Sequence, residues 1–490
     1  MELESSQVPE LRVRAINECP VRNKGAYVLY WMVANRRAAS NFSLQRAGEW
    51  ARSLGRPLVV LEALRADYPW ASVRFHQFVV EGMADNLQAF ADSRVTYYPY
   101  VEPEKDAANG LIAELARQAC VIVSDDFPCF FLPRMLTAVA KRLDVRMELV
   151  DSNGILPLRV ADQVFTLAHS FRRYLQKTLR PHLLEFPQDD DWADLPQLDK
   201  LPVAVTRRWP ATSPKTLRDA AAFLTGLPID QSVTAAVMRG GAAAAQDCLA
   251  TFVKSRLSRY AEERNQPDND ASSGLSPYLH FGHVSAHQVF DAVMSADGWR
   301  PSAIAEKATG SREGWWGASP TVEAFLDELI TWRELGYNMC WQRADYNRYS
   351  SLPEWAQETL HDHRKDPRKP SYTLEQFEMA DTHDPIWNAI QNQLRWEGRV
   401  HNYLRMLWGK KILHWSKSPQ VALEIMIELN NKYAVDGRNP NSYSGIFWTL
   451  GRYDRAWGPE REIFGKIRYM TSENTVKKVS MRNYLKRFSA

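Results

Sequence analysis

The sequence predicts an N-terminal α/β domain, built on a parallel five-stranded Rossmann-like sheet, followed by an all-α domain. Three observations lead there. Over residues 25–185 short apolar runs alternate with helical patterns, as in a parallel sheet covered by helices. Over 186–214, FPQDDDWADLPQLDKLP and RRWPATSP replace periodicity with Pro and Asp and mark an interdomain linker. Over 215–490 almost every periodic segment has helical spacing. Residues 1–24 read as a polar N-terminal extension.

The first strand is YVLYWMV (27–33), followed by a helix through SLQRAGEWARSL (43–54). PLVVLEAL (57–64) is the second strand, followed by a helix through VRFHQFVVEGMADNLQAF (73–90). VTYYPY (95–100), CVIVSDD (120–126) and VRMELVD (145–151) complete the strands, with helices at DAANGLIAELARQ (106–118) and LPRMLTAVAKRL (132–143). No GxGxxG follows the first strand, so the dinucleotide fingerprint is absent. The carboxyl ends of the strands remain a place for a ligand, or the domain is only a scaffold. Beyond the linker, helices are expected at 242–265, 322–341, 396–415 and 418–433, the last with a Ser-Pro entry.

The 490 residues, 45% hydrophobic and 24% charged, describe a globular protein with enough chain for two to four domains. A formal net charge of +3 permits nucleic-acid binding without arguing for it. The five cysteines form no CxxC pair, which argues against a disulfide framework and a clustered zinc site; their number allows a four-cysteine iron–sulfur site, but no compact ligand run supports one. The polar start lacks a secretory core, and the apolar run 26–34 is too short to span a bilayer. The expected setting is cytoplasmic, nucleoid-associated in a bacterium, with no membrane. The tail from Lys466 is basic and is either a solvated surface or a DNA contact.

Chemistry concentrates in 383–448, where Trp387, Trp408, Trp415 and Trp448 stand among Arg405, Asn430 and Asp436. Indoles beside one strong charge pair and several amides fit a planar redox cofactor better than a hydrolytic site. Trp408 and Trp415 are seven residues apart, nearly two helical turns, and Trp387 precedes a Glu397-Gly398 break that lets it fold back beside Trp408. These indoles either relay an electron or form a packed aromatic stripe. Glu328 and Trp332 share a helix face, whereas Asp327 lies on another face and is expected to be solvated. Burial would raise the pKa of Glu328 and let it donate a hydrogen bond; the alternative is an ion pair with an arginine such as Arg333. Arg405 and Asp436 either tune a flavin or form a structural salt bridge. The polar loop before SPYLHFG, with Ser272, Ser273 and Ser276, either receives a pyrophosphate or caps a turn.

Taken together these segments resemble the photolyase/cryptochrome family, and specifically the class II cyclobutane pyrimidine dimer (CPD) photolyases. The blocks that carry the resemblance are YWMVANRRAASNFSL, SGLSPYLHFGHVS, FLDELITWREL, HDPIWNAIQ, LRMLWGKKILHW, LNNKYAVDGRNPNSYSG and FGKIRYM, in order along nearly the whole chain. The resemblance implies an antenna domain over 25–185 and a helical FAD-binding catalytic domain over 215–490. It implies non-covalent FAD, active as FADH−, and light-driven splitting of a pyrimidine dimer flipped out of double-stranded DNA. By the aligned motifs, Tyr260, Ser272, Ser273, Gly274, Leu275, Ser276, Arg405, Asp436, Arg438 and Asn430 would bind FAD. Trp387 and Trp408, with Trp415 as a nearby branch, would transfer electrons. Glu328 would hydrogen-bond the lesion, and Trp332, Asn402, Met406 and Trp448 would line its pocket.

Three positions depart from the class II pattern: Asn402 stands for a usual Gly, Asn439 for Asp and Tyr453 for His. A cryptochrome-like blue-light photoreceptor signalling through a partner is the alternative function; the short stretch after KIRYM argues against it. A (6-4) photolyase fits the blocks less well. The family implies a monomer. An antenna chromophore, 8-hydroxy-deazaflavin or folate, is left open by the residues.

Overall fold

The computed structural model describes residues 3 and 5–489, which fall into two compact units. The first runs through Val160 and adds Leu179–Leu249 and Leu275–Ala292. The second takes Ala161–Thr178, Ala250–Gly274 and the chain from Val293 onward.

The first unit holds β1 (Val13–Ala15), β2 (Tyr27–Met32), β3 (Leu58–Leu64), β4 (Thr96–Val101), β5 (Ala119–Asp125) and β6 (Met147–Val150). Their order is β1-β6-β5-β2-β3-β4. The five expected strands are present and parallel, but the sheet has six strands and is mixed, because β1 pairs antiparallel with β6. The sixth strand comes from the stretch read as an N-terminal extension. Three residues, VRA, carry no period-two signal, yet they cover the edge that β6 would otherwise present to solvent. All six residues of β2 are buried, as expected of a strand covered on both faces.

Helices α1 (Phe42–Leu54), α2 (Val73–Ala89), α3 (Leu111–Ala116) and α4 (Leu132–Ala140) follow their strands. Trp50 and Phe42 of α1 pack with Val28, Tyr30 and Met32; Val79 and Met83 of α2 pack in a separate cluster with Leu217 and Leu224. The Pro- and Asp-rich stretch places Trp192 and Leu195 in the first of these cores. At the carboxyl end of the sheet, Asp125 accepts the backbone N–H groups of Val33, Ala34 and Asn35 at 2.8, 2.7 and 3.0 Å and the Tyr30 hydroxyl at 2.8 Å. A buried carboxylate thus fixes the turn after β2.

In the second unit the site is carried by α5 (Ala168–Thr178), α6 (Tyr260–Glu263), α7 (Pro320–Leu326), α8 (Arg333–Gln342), α9 (Pro385–Glu397), α10 (Asn402–Trp415), α11 (Pro419–Tyr433) and α12 (Pro440–Trp448). The C-terminal end adds α13 (Ser472–Lys478) and α14 (Arg482–Phe488). Three expected helices are interrupted. The 242–265 segment passes through a π turn at Phe252–Arg256 and a 3-10 turn at Leu257–Arg259. The 322–341 segment contains a π turn at Asp327–Trp332. The 396–415 segment breaks at Gly398, whose φ of +73° ends α9, and helix resumes at Asn402. Periodicity alone does not register an inserted residue.

The helix entry expected from sequence at Ser418, before proline, is present, and Asp384 is a second of the same kind. Asp384 accepts from Ile386 and Trp387 N–H at the start of α9, and Ser418 from Val421 N–H at the start of α11, each ahead of a proline at the first position. Asn439 caps α12 by accepting from Asn441 N–H at 2.9 Å, a task an aspartate performs equally well. The basic tail is docked: Ser472 donates to Asp384 at 2.5 Å, Tyr484 to Gln393 at 2.8 Å, and Asp268 accepts from Tyr484 N–H at 2.7 Å. Lys477, Lys478 and Lys486 stay exposed.

Gly336 lets α8 and α12 approach. A Cβ there would meet Ser444 Oγ at 2.7 Å and the Pro440 carbonyl at 2.8 Å. Gly336→Val is therefore expected to cost about 1–3 kcal/mol of stability, read from chemical denaturation.

Lys410 is buried and donates from Nζ to the Thr449 carbonyl at 2.6 Å; burial pulls its pKa down to about 7, partly opposed by Asp454. The unfolded chain holds this proton up to the ordinary lysine range, so it binds more protons than the folded chain above pH 7. Stability contributed at this site therefore rises as pH rises from about 7. Lys410→Met removes that rise. Between pH 7 and 9 wild type should gain about 2 kcal/mol over the variant in paired denaturation curves.

Candidate cofactor and substrate site

The π turn determines where the acidic pair points. Asp327, expected at the surface, is buried and takes two bonds from Arg172 of α5, at 2.7 and 3.0 Å. The extra residue of a π turn shifts the helix faces, and Arg172 compensates the buried charge. Glu328 stays half-buried. Its partner is Arg264, whose Nη1 donates to Oε1 at 3.0 Å, and not Arg333, which lies over the Tyr337 ring at 4.6 Å. Among the described residues no group bonds Glu328 Oε2. Burial pushes the Glu328 carboxyl up, against the pull of Arg264 and with the help of Asp327.

Arg264 also lies over the Tyr260 ring, 5.4 Å from its centroid, and Tyr260 packs against Phe252 and Phe325. Burial raises the Tyr260 hydroxyl above its ordinary range. Sequence reasoning missed Arg264. The available signal was its place four residues after Tyr260, on one helix face.

Trp332 closes the π turn and Trp448 ends α12. Their rings meet at 5.5 Å, tilted by 39°, and both are half-buried. Met406 is half-buried on α10; Asn402, at the start of that helix, is exposed.

Arg405 Nη2 donates to both oxygens of Asp436, at 3.2 and 3.4 Å, with about a sixth of each side chain exposed. Asn430, in the last turn of α11, is buried and donates from Nδ2 to Ser442 Oγ at 2.7 Å. Arg438 is buried; its guanidinium donates to the Asn431 carbonyl at 2.9 Å and its N–H to Asn431 Oδ1 at 3.0 Å. That bonding, with φ of +59°, makes Arg438 part of the turn supporting Asp436. Tyr453 is buried in a left-handed backbone position. Ser272, Ser273 and Gly274 are half-buried in a loop where Gly274 takes φ of +73°. Leu275 and Ser276 belong to the first unit, Leu275 buried and Ser276 exposed at the start of a short helix.

Trp387, Trp408 and Trp415 are all buried. Trp387 does fold back: its Nε1 donates to the Trp408 carbonyl at 3.0 Å. Trp408 Nε1 donates to Gln391 Oε1 at 2.9 Å, and the Trp387 and Trp415 rings lie 6.2 Å apart.

The donor set suits a flavin. Among the described residues Arg405 engages Asp436 through Nη2 alone, leaving Nε and Nη1 for another acceptor. His401 Nδ1 is buried with no hydrogen-bond partner, and burial lowers the ring's pKa to about 4. Among the described residues no group of three His, Cys, Asp or Glu could hold a metal, and no helix is long and apolar enough to cross a membrane.

No family model matches the chain. It is 33% identical to the deoxyribodipyrimidine photo-lyase of Methanothermobacter thermautotrophicus, over 97% of each chain. It is 34% identical to that of Oryza sativa, over 97% of this chain and 89% of the relative, and 30% identical to that of Potorous tridactylus, over 98% and 84%. Among solved structures, a class III photolyase from Agrobacterium tumefaciens matches with a TM-score of 0.66 at 18% identity, covering 95% of this chain and 86% of that one. A Synechocystis cryptochrome matches with a TM-score of 0.68 at 15% identity, covering 94% and 88%. These two likenesses concern the fold; the sequence identity carries the kinship. The chain belongs to the photolyase/cryptochrome family.

Proposed function

We propose that this chain repairs cyclobutane pyrimidine dimers in DNA by light, as a class II photolyase with non-covalent FAD. Glu328 carries the reading. It is a half-buried carboxyl tied through one oxygen to Arg264, on the same turn as Trp332, whose ring meets Trp448. Near-full-length identity to proteins named deoxyribodipyrimidine photo-lyase supports it.

Asn430, Arg405, Asp436, Tyr260, Ser272, Ser273 and Gly274 would hold the cofactor. Bound FAD, fully reduced and excited by light, supplies the electron that opens the cyclobutane ring. Arg405 offers a fixed cation oriented by Asp436, and Asn430 offers an amide oriented by Ser442. Glu328 holds a proton at Oε2 while Oε1 keeps Arg264, and this proton bonds the dimer's carbonyl as negative charge grows there. Trp332, Trp448 and Met406 give the dimer an apolar wall and exclude water. The exposed tail lysines favour phosphate contact, so affinity for dimer-containing DNA should rise as salt falls.

A blue-light photoreceptor is the second reading, since the same fold occurs in a cryptochrome. One assay separates the readings: DNA carrying CPD or (6-4) lesions, incubated with the FAD-loaded protein in light and dark. The proposal expects CPD loss in light alone. Loss of neither lesion favours the photoreceptor, and loss of only the (6-4) product points to the other repair class.

A further inference from the structure

We infer that the indole series does not end at Trp415 but continues to Tyr372, a redox-active tyrosine whose proton passes to His383. The inference rests on the reading of Trp408, Trp387 and Trp415 as an electron path and extends it by one step.

Four observations carry it. The Tyr372 ring stands edge-on to Trp415, centroids 5.7 Å apart at 78°, about as near as Trp387 at 6.2 Å. The phenol is fixed in direction: its oxygen accepts the His383 backbone N–H at 3.0 Å and lies 2.7 Å from His383 Nδ1. The inference assigns the hydroxyl proton to the Nδ1 contact, the arrangement in which His383 carries its own ring proton on Nε2. The His383 ring lies 4.9 Å from Trp415 and 6.0 Å from Tyr372, nearly parallel to the latter at 16°. Finally, the indoles are buried, Tyr372 is half-buried and His383 is exposed, so the series runs outward to solvent.

The step balances. A Trp415 radical cation takes one electron from Tyr372, the phenolic O–H bond breaks, and its proton joins His383 Nδ1. Neutral Trp415, a neutral tyrosyl radical and a protonated His383 result. Local charge drives the hole outward. The Lys411 ammonium lies over the Trp415 ring at 5.0 Å, and although Asp384 pairs with it at 3.4 Å, a second positive charge on the indole is unfavourable. The step moves that charge off the buried indole onto exposed His383, where solvent screens it and can take the proton on.

The test oxidises the protein in two ways: a light flash on the FAD-loaded chain, and a pulse of azide radical on the flavin-free chain. Transient absorption and electron paramagnetic resonance distinguish indole from tyrosyl radicals. In wild type the indole radical should decay into a tyrosyl radical. In Tyr372→Phe the flash-generated indole radical should last at least about tenfold longer. His383→Phe keeps a ring against Trp415 and removes the proton acceptor; it should slow the decay and abolish its solvent deuterium effect. A purely structural Tyr372 would move none of these readouts. An indole radical with the same lifetime in wild type and Tyr372→Phe overturns the inference and leaves the indole path standing. Absence of any indole radical after the flash overturns both.

Discussion

Glu328→Ala is expected to cut dimer splitting per absorbed photon roughly 5–30-fold, the equivalent of about 1–2 kcal/mol, while FAD is still bound. The loss follows from geometry. Oε1 is committed to Arg264, and on the proposed reading Oε2 meets the lesion, so the variant would remove the group that steadies the dimer as it gains charge. Glu328→Gln keeps the size and a donor and should retain most of the yield. The carboxyl's pKa is raised by burial, so the protonated donor prevails at lower pH and is lost as pH rises through that raised value. Wild-type yield should therefore fall with rising pH, and the Gln variant should not follow. Equal quantum yields for wild type and Glu328→Ala would remove the role given to this residue.

Trp387→Phe should have the second large effect, on a different observable. If the indoles carry the electron as proposed, light-driven reduction of bound oxidised flavin by an external reductant should slow by about two orders of magnitude or more, because Trp387 both bonds the Trp408 carbonyl and meets the Trp415 ring. Repair by protein reduced chemically beforehand should be nearly unchanged, since that electron does not travel through the indoles. Phe is smaller than Trp, and Trp387 is fully buried, so a loss of stability of about 1–3 kcal/mol is also expected and must be measured alongside. Reduction at the wild-type rate in a stable variant would show that Trp387 is packing only.

Much of the architecture was legible because it follows from local chemistry. Buried parallel strands read as continuous apolar runs, and Tyr27–Met32 is such a run. Ser418 stands before a proline, was read as a helix entry and caps α11. What escaped depends on contacts distant in sequence. Val13–Ala15 is a strand only because β6 offers it an edge, which three residues cannot announce. Asp327 is buried because Arg172, some 150 positions away in the chain, meets it and because a π turn redirects the helix. The same turn explains why Arg333, five residues on in sequence, does not pair with Glu328 while the remote Arg264 does.

The site itself was legible to a similar depth. The Arg405–Asp436 pair and the return of Trp387 to Trp408 were sought from the sequence and lie within bonding distance, and Trp332 and Trp448, which the resemblance put in one pocket, meet ring to ring. Arg438 was assigned to the cofactor beside them; its Nη1 donates to the Asn431 carbonyl, a bond that residue spacing does not reveal.

The central claim is that the helical unit holds FAD and uses it in light. The most direct measurement is the flavin content and absorption spectrum of the FAD-reconstituted protein, followed by illumination with dimer-containing DNA. The account predicts stoichiometric flavin, with dimers lost on illumination and retained in the dark. Folded protein that remains colourless and takes up no flavin, or dimer loss that proceeds equally in the dark, would contradict it.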